Sequence, residues 1–327
     1  MILSPILEWD MKAKHIDKEL TLEILENYNR GRYAGFTPSR GGLPHIDGEN
    51  ILDMGKEQDH VFPWDEAKKN VHELLPGHEP EEFGTREGSH LLASGSSLRR
   101  LGVLLYPKLS YGILNGGLGT SYADELKNSA AFPALFSLHE EDFVRLSPLS
   151  KGKAKGLAPA YVNPDGSPGY SYLELKFRFL LIESLRYAAV SGKAPLSLPF
   201  FQMTNISTDE ELSSAYREYR RGPMLSDLIA AAGFDVTEGR TGIQPLIAAY
   251  THSDEGKTKA LFTQAYGKKD SLLPLPGGHG QNFRVLEGVY RDLHDEGRRF
   301  AYLGNVDNLG YLIDPLSLGY LALTGRQ

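Results

Sequence analysis

Cysteine is absent from this 327-residue chain. That removes disulfides, thiolate metal sites, iron–sulfur clusters and cysteine nucleophiles together. It also fits a reducing compartment, and a cytoplasmic location is expected. Long apolar runs are missing too. No stretch approaches the ~18 uninterrupted apolar residues of a membrane helix, and the most apolar segment, Phe177 to Val190, carries Arg178, Glu183 and Arg186. Glu8 and Asp10 come too early for a secretory leader. Basic blocks are likewise scarce. Lys+Arg number 35 against 42 Asp+Glu, giving a net charge of -7. The pairs Arg99-Arg100, Arg220-Arg221 and Arg298-Arg299 are too short to track a phosphate backbone. Neither a membrane nor a nucleic acid is therefore an expected partner. There is no Gly-x-Ser-x-Gly elbow and no His-x-x-x-His pair, and no two carboxylates stand out as a glycosidase pair.

What is present is an ordinary globular composition, 41% hydrophobic and 24% charged, which excludes disorder of the whole chain. The length allows one large domain or two. Residues 1–95 are polar and broken, and read as a mostly helical or irregular extension. Helices are expected over Asp17–Asn29, from the spacing of Leu20, Leu22, Ile24 and Leu25, and over Asp65–Leu75, with loop or extended chain over Gly35–Gly55. Ser94-Gly95-Ser96-Ser97 marks the expected boundary with a second unit, 96–327.

In that unit strands and helices alternate. Strands are expected at Tyr111–Leu114, Leu196–Met203, Ile243–Tyr250 and Phe300–Leu303. Helices are expected over 171–191, ended by Pro195, then from Thr208 as N-cap, over Leu225–Ala232 closed by Gly233, and over Asn282–Glu296 closed by Gly297. This order predicts an α/β fold with a mostly parallel open sheet and helices on both faces.

Open α/β sheets bind ligands beyond the carboxyl ends of their strands. Two such ends are unusual. Leu114-Asn115-Gly116-Gly117-Leu118-Gly119-Thr120 holds three glycines in four positions, so backbone N–H groups can approach a phosphate or a base edge unobstructed. It has neither P-loop nor Gly-x-Gly-x-x-Gly spacing, and a tight turn is the plain alternative. Gly304-Asn305-Val306-Asp307-Asn308-Leu309-Gly310 sets a carboxylate just past a strand, suited either to Mg²⁺ or to an Asx-turn. A third segment, Pro276-Gly277-Gly278-His279-Gly280, exposes an imidazole among glycines.

Together these motifs resemble the UDP-sugar pyrophosphorylase family: UTP–glucose-1-phosphate uridylyltransferase and its UDP-N-acetylhexosamine relatives. The resemblance runs over roughly 100–323. It rests on the Leu114–Ser121 loop, the Ala194–Asp209 strand and turn, Gln244-Pro245, the Pro276–Gly280 loop and the Gly304–Gly310 turn, in that order. It implies a Rossmann-like, GT-A type nucleotidyltransferase that transfers UMP from UTP to a sugar 1-phosphate and releases pyrophosphate. Leu114, Asn115, Gly116, Gly117, Gln244 and Gly278 would bind the nucleotide, with Gln244 reading uracil. His279, Asn305 and Val306 would contact the substrate, and Asp307 would hold Mg²⁺. Lys127 would meet the triphosphate, although the family's Gly-Pro pair is missing before it and it sits one position early. The Leu-Asn-Gly-Gly loop points to glucose 1-phosphate rather than its N-acetylglucosamine counterpart.

Only 20 residues follow Asp307, and family members continue well beyond this turn. The resemblance therefore also implies a chain truncated at its C-terminus. It would be a fragment, a self-associating or complemented half of a split enzyme, or a catalytically silent nucleotide-binding relative.

Overall fold

The computed structural model describes residues 3–35, 42, 51, 59–119, 124–252 and 257–325. The expected Gly35–Gly55 loop lies outside them but for Gly35, Gly42 and Ile51. The chain opens with α1 (Pro5–Ala13) and α2 (Lys18–Asn29), each started by a side-chain cap. Ser4 accepts from the Leu7 N–H and Asp17 from the Leu20 N–H, occupying donors that a first turn leaves free. Strands β1 (His60–Pro63), β2 (Thr85–Glu87) and β3 (His90–Ala93) then form an antiparallel sheet beside α3 (Trp64–Leu74). The helix is the one expected near Asp65–Leu75. The strands have no counterpart in the expected irregular extension, because three or four residues are too few for an alternation signal. Ser94 is the N-cap of α4 (Gly95–Leu104). One hydrophobic cluster runs across it, joining Phe62, Trp64 and Phe83 to Leu98, Phe177 and Leu323.

The central sheet starts with β4 (Leu109–Leu114). Three short helices follow, α5 (Glu125–Ala131), α6 (Pro133–Leu138) and α7 (Glu140–Leu146), none of which buries a side chain. Then come α8 (Tyr172–Ser191), β5 (Phe200–Asn205), α9 (Asp209–Tyr219), α10 (Ser226–Ala232) and β6 (Arg240–Gln244). A two-stranded ribbon, β7 (Leu246–Ala248) with β8 (Pro274–Pro276), precedes α11 (Asn282–Val285), α12 (Glu287–Asp295), β9 (Phe300–Asn305) and α13 (Pro315–Thr324).

Strands β6, β5, β4 and β9 pair in that order, all parallel. Alternate residues face opposite layers. Leu109, Tyr111 and Ile113 of β4 and Phe200 of β5 enter the large cluster with Phe177 and Leu181 of α8 and Leu101 of α4. Phe201 and Met203 enter a second cluster with Leu286 and Leu293, against which Leu114 packs. Helices thus cover both faces, as the alternation of elements predicts. On the first face α4 and α13 meet backbone to backbone, since a Cβ on Gly102 would strike Pro315 and one on Gly319 would strike Leu98.

Several boundaries differ from expectation for local reasons. Helix α8 ends at Ser191 as expected, but it is Gly192, in the left-handed position at φ 69°, that ends it rather than Pro195. Strand β5 begins at Phe200 rather than Leu196. Thr208 sits at the start of α9, but its hydroxyl bonds the Asn205 backbone instead of capping. The Ile243–Tyr250 strand breaks at Pro245 into the ends of β6 and β7, because proline has no N–H to give a ladder. The Asn282–Glu296 helix is interrupted at Leu286. Among the described residues no helix is long and apolar enough to cross a membrane.

Candidate active site

In register, Leu114 stands beside Asn305 across β4 and β9 and beside Met203 across β4 and β5, while Asn205 stands beside Gln244. The four strands therefore end on one rim. The chain runs outward from β4 to β5 and β6, then returns to β9 on the other side of β4. The place between β4 and β9 is the topological switch point, where the loops of an open α/β sheet part and leave a crevice. The glycine-rich turn leaves β4 there and the Asp307 turn leaves β9 there. The Val306 N–H donates to the Leu114 carbonyl at 3.3 Å and ties the two together.

One cluster of polar groups forms on the β5–β6 side. Asn205, 4% exposed, donates its side-chain amide to the Gly116 carbonyl. Gln244, 2% exposed, donates Nε2 to the Gly278 carbonyl at 2.8 Å and to Gln281 Oε1 at 2.7 Å. With Asn205 beside Gln244 in register, these bonds bring the Gly116 turn, the end of β6 and the Gly278 loop together. Among the described residues, nothing accepts from the backbone N–H groups of Gly116 and Gly117. Gly117 is exposed, so its N–H is a donor open to a ligand.

A second cluster forms between β4 and β9. Residues 117–119 run alongside 153–155: the Lys155 N–H donates to the Gly117 carbonyl at 2.8 Å and the Gly119 N–H to the Lys153 carbonyl at 2.9 Å. This backbone pairing delivers Lys155 to the rim, where Nζ lies 3.1 Å from Asp307 Oδ2. Lys155 is thus held by one turn through its backbone and reaches the other through its side chain. Beneath the Asp307 turn, Lys176 of α8 donates Nζ to the carbonyls of Asn308 (2.6 Å) and Tyr311 (2.8 Å). Burial lowers the Lys176 pKa to about 8, against the opposing pull of Asp307. Tyr111 adds its hydroxyl to the same Tyr311 carbonyl. The turn is therefore braced from below by groups on α8 and β4.

Other expected site residues are disposed differently. Leu114 packs on the second hydrophobic cluster. Asn115 is fully buried and donates to Gln202 Oε1 at 3.2 Å, an oxygen shared with the Tyr216 hydroxyl. Its side chain is turned into the protein. Val306 is 1% exposed and its side chain is core, which leaves only its backbone at the rim. Asn305 is exposed, its carbonyl taking the Asn308 N–H. His279 is exposed in the turn before α11. Lys127 is exposed on α5, where its N–H donates to the Asp124 cap. The cation delivered to Asp307 is Lys155.

Sequence reasoning passed over Lys155, Lys176 and Gln281. The signals were faint. Lysines alternate at 151, 153 and 155, and Lys176 interrupts the apolar spacing of Leu173, Phe177 and Leu180 in α8. Gln281 carried no signal at all.

No protein-family model and no curated protein matches the chain. Solved structures that resemble it include a UDP-N-acetylglucosamine pyrophosphorylase from Entamoeba histolytica, 22% identical, covering 68% of this chain and 44% of that one, with a TM-score of 0.45. Another is the uridine diphosphate N-acetylglucosamine pyrophosphorylase from Trypanosoma brucei, 16% identical over 69% of this chain and 37% of that one, with a TM-score of 0.47. A third is a UDP-glucose pyrophosphorylase from Leishmania major in complex with UDP-glucose. It is 18% identical, covers 98% of this chain and 48% of that one, and has a TM-score of 0.42. The chain spans less than half the length of each of these three structures.

Proposed function

We propose that this chain is a uridylyltransferase, or the nucleotide-binding part of one, that transfers UMP from UTP to a sugar 1-phosphate. One observation carries the reading. Lys155 is bonded through its backbone to the glycine-rich turn and through its ammonium to Asp307, at the switch point of the parallel sheet. A donor-lined turn, a cation and a carboxylate are the groups that a nucleoside triphosphate and its metal need at one place.

In the proposed reaction an oxygen of the sugar phosphate attacks the α-phosphorus of UTP. A new P–O bond forms, the bond to the bridging oxygen breaks, and pyrophosphate leaves with that electron pair. A phosphomonoester has its second pKa at about 6, so the nucleophile is already charged at neutral pH and no general base is needed. The difficulty is bringing two polyanions together in line. Lys155 would offset their charge, and the N–H groups of Gly116 and Gly117 would orient the nucleotide. Asp307 suits Mg²⁺, which is commonly held by one or two carboxylates with substrate phosphates completing the shell, and bound there it would neutralise charge on the leaving pyrophosphate. Glucose 1-phosphate is the favoured acceptor, on the Leu-Asn-Gly-Gly loop.

Calorimetric titration with UTP, followed by assay of the same sample for UDP-glucose and UDP-N-acetylglucosamine, tests the reading. Binding with synthesis is expected. Binding without synthesis of either product identifies a nucleotide-binding relative, and no binding rejects the proposal.

A further inference from the structure

The amide of Gln244 is held in one orientation, and that orientation decides what it can recognise. The Gly278 carbonyl can only accept, so the Gln244 atom 2.8 Å from it is the NH₂ group, whichever way an amide might otherwise be assigned. The second hydrogen of that group goes to Gln281 Oε1 at 2.7 Å. With both hydrogens committed, Oε1 is the atom left over. It lies 3.3 Å from where a Cβ on Gly116 would stand, beside the glycine-rich turn, and among the described residues nothing donates to it. Gly277 makes the arrangement possible, because a Cβ there would collide with the Gln281 amide.

We propose that Gln281 is a specificity-determining positioning residue: it locks the Gln244 amide with its acceptor toward the base, so that the site selects uridine over cytidine nucleotides. This rests on the reading of Gln244 as the residue that faces the base. An acceptor opposite ring position 3 takes a hydrogen bond from the uracil N3–H. Cytosine has a lone pair at that position, which the same acceptor repels, and a carbonyl left unpaired in a desolvated site is costly. Without Gln281, one amide hydrogen of Gln244 loses its partner. Only the Gly278 carbonyl then opposes a rotated amide that donates to cytosine N3, and the preference for uracil weakens.

The test is equilibrium binding of UTP and of CTP to the full chain, with folding of each variant checked by circular dichroism and melting. Wild type is expected to prefer UTP. Gln281→Leu should lower the UTP:CTP ratio about tenfold, the size of one hydrogen bond. Gly277→Ala, which displaces the Gln281 amide and leaves the residue in place, should lower it in the same direction. Gln281→Glu keeps an acceptor for Gln244 and should keep the preference. A wild-type ratio in folded Gln281→Leu and Gly277→Ala, with the preference lost in Gln244→Ala, overturns the lock and leaves the base-facing role of Gln244 standing. An unchanged ratio in Gln244→Ala as well overturns that role, and the lock falls with it.

Discussion

The two halves of the rim are built on different principles. On the β5–β6 side, Asn205 and Gln244 are almost fully buried and their amides are committed to backbone carbonyls and to Gln281. Between β4 and β9, Lys155 and Asp307 keep 28% and 24% of their side-chain area exposed and hold each other by an ion pair. The first arrangement is preformed, since amides bonded inside a protein resist reorientation. The second is exchangeable. Both charges still reach solvent, so an incoming charged group can replace either partner without either charge being left buried and unpaired. On the proposed reaction, the first arrangement would read the base and the second would be reallocated as phosphates enter and pyrophosphate leaves.

The largest effects should come from breaking the exchangeable half. Asp307→Asn keeps the shape of the turn and removes the charge. Turnover of sugar 1-phosphate and UTP should fall by about two orders of magnitude or more, with an unchanged circular dichroism spectrum and an unchanged UTP:CTP binding ratio. Near wild-type turnover in the folded variant would end the metal role. Lys155→Met should cost about a hundredfold in turnover by removing the cation from the transferring phosphates. If Lys127→Met has that effect and Lys155→Met does not, the pairing across the two turns is not the one that matters.

The brace under the Asp307 turn should matter less. Lys176→Met leaves the carbonyls of Asn308 and Tyr311 without their ammonium partner, a loss of about 1–3 kcal/mol that urea unfolding would measure. Turnover should fall with it, because Asp307 is no longer held, while base preference is kept. The reader should give a smaller effect of another kind. Gln244→Ala should reduce discrimination between UTP and CTP about tenfold with a modest change in kcat. A large fall in kcat with discrimination intact would mean that the two halves are not separable.

How much of this was legible in the sequence follows the same division. Strand ends are visible because turns demand glycine and asparagine. Asn115-Gly116-Gly117 and Gly304-Asn305 mark the carboxyl ends of β4 and β9 with no structure in hand. The long helix α8 is visible from its apolar spacing, while its Ser171–Glu174 capping box was passed over. Lys155 was not legible as a partner of Asp307. It follows α5, α6 and α7 and reaches the rim by a backbone pairing that leaves no residue signature. The burial of Asn115 and Val306 was hidden for a related reason. A turn residue's side chain points into the core or out of it according to packing behind the rim, here Gln202 and Tyr216 behind Asn115 and the large hydrophobic cluster behind Val306. The break at Pro245 was missed by the expected Ile243–Tyr250 strand, although a proline there cannot continue a ladder.

The smallest effect should lie away from the rim altogether, and it checks that the two halves are independent of the core behind them. Glu183 of α8 is 1% exposed, accepts a hydrogen bond from the Tyr106 hydroxyl and lies 3.1 Å from Arg186. Burial holds its carboxyl pKa above the ordinary value, with the Tyr106 bond and Arg186 pulling the other way. A carboxyl whose folded-state pKa is raised binds its proton more tightly in the native state than in the unfolded one. Its contribution to stability is therefore greatest on the acid side and is lost as pH rises through the folded value. In Glu183→Gln the side-chain amide would still accept from Tyr106 and would not titrate. The stability of Glu183→Gln relative to wild type should accordingly improve as pH rises from the ordinary carboxylate range, about 4, toward neutrality. Melting curves across that range would measure the trend. A stability difference that stayed constant with pH, or that moved in the opposite direction, would contradict the raised pKa. UTP binding that shifted with it would show that the core and the rim are coupled after all.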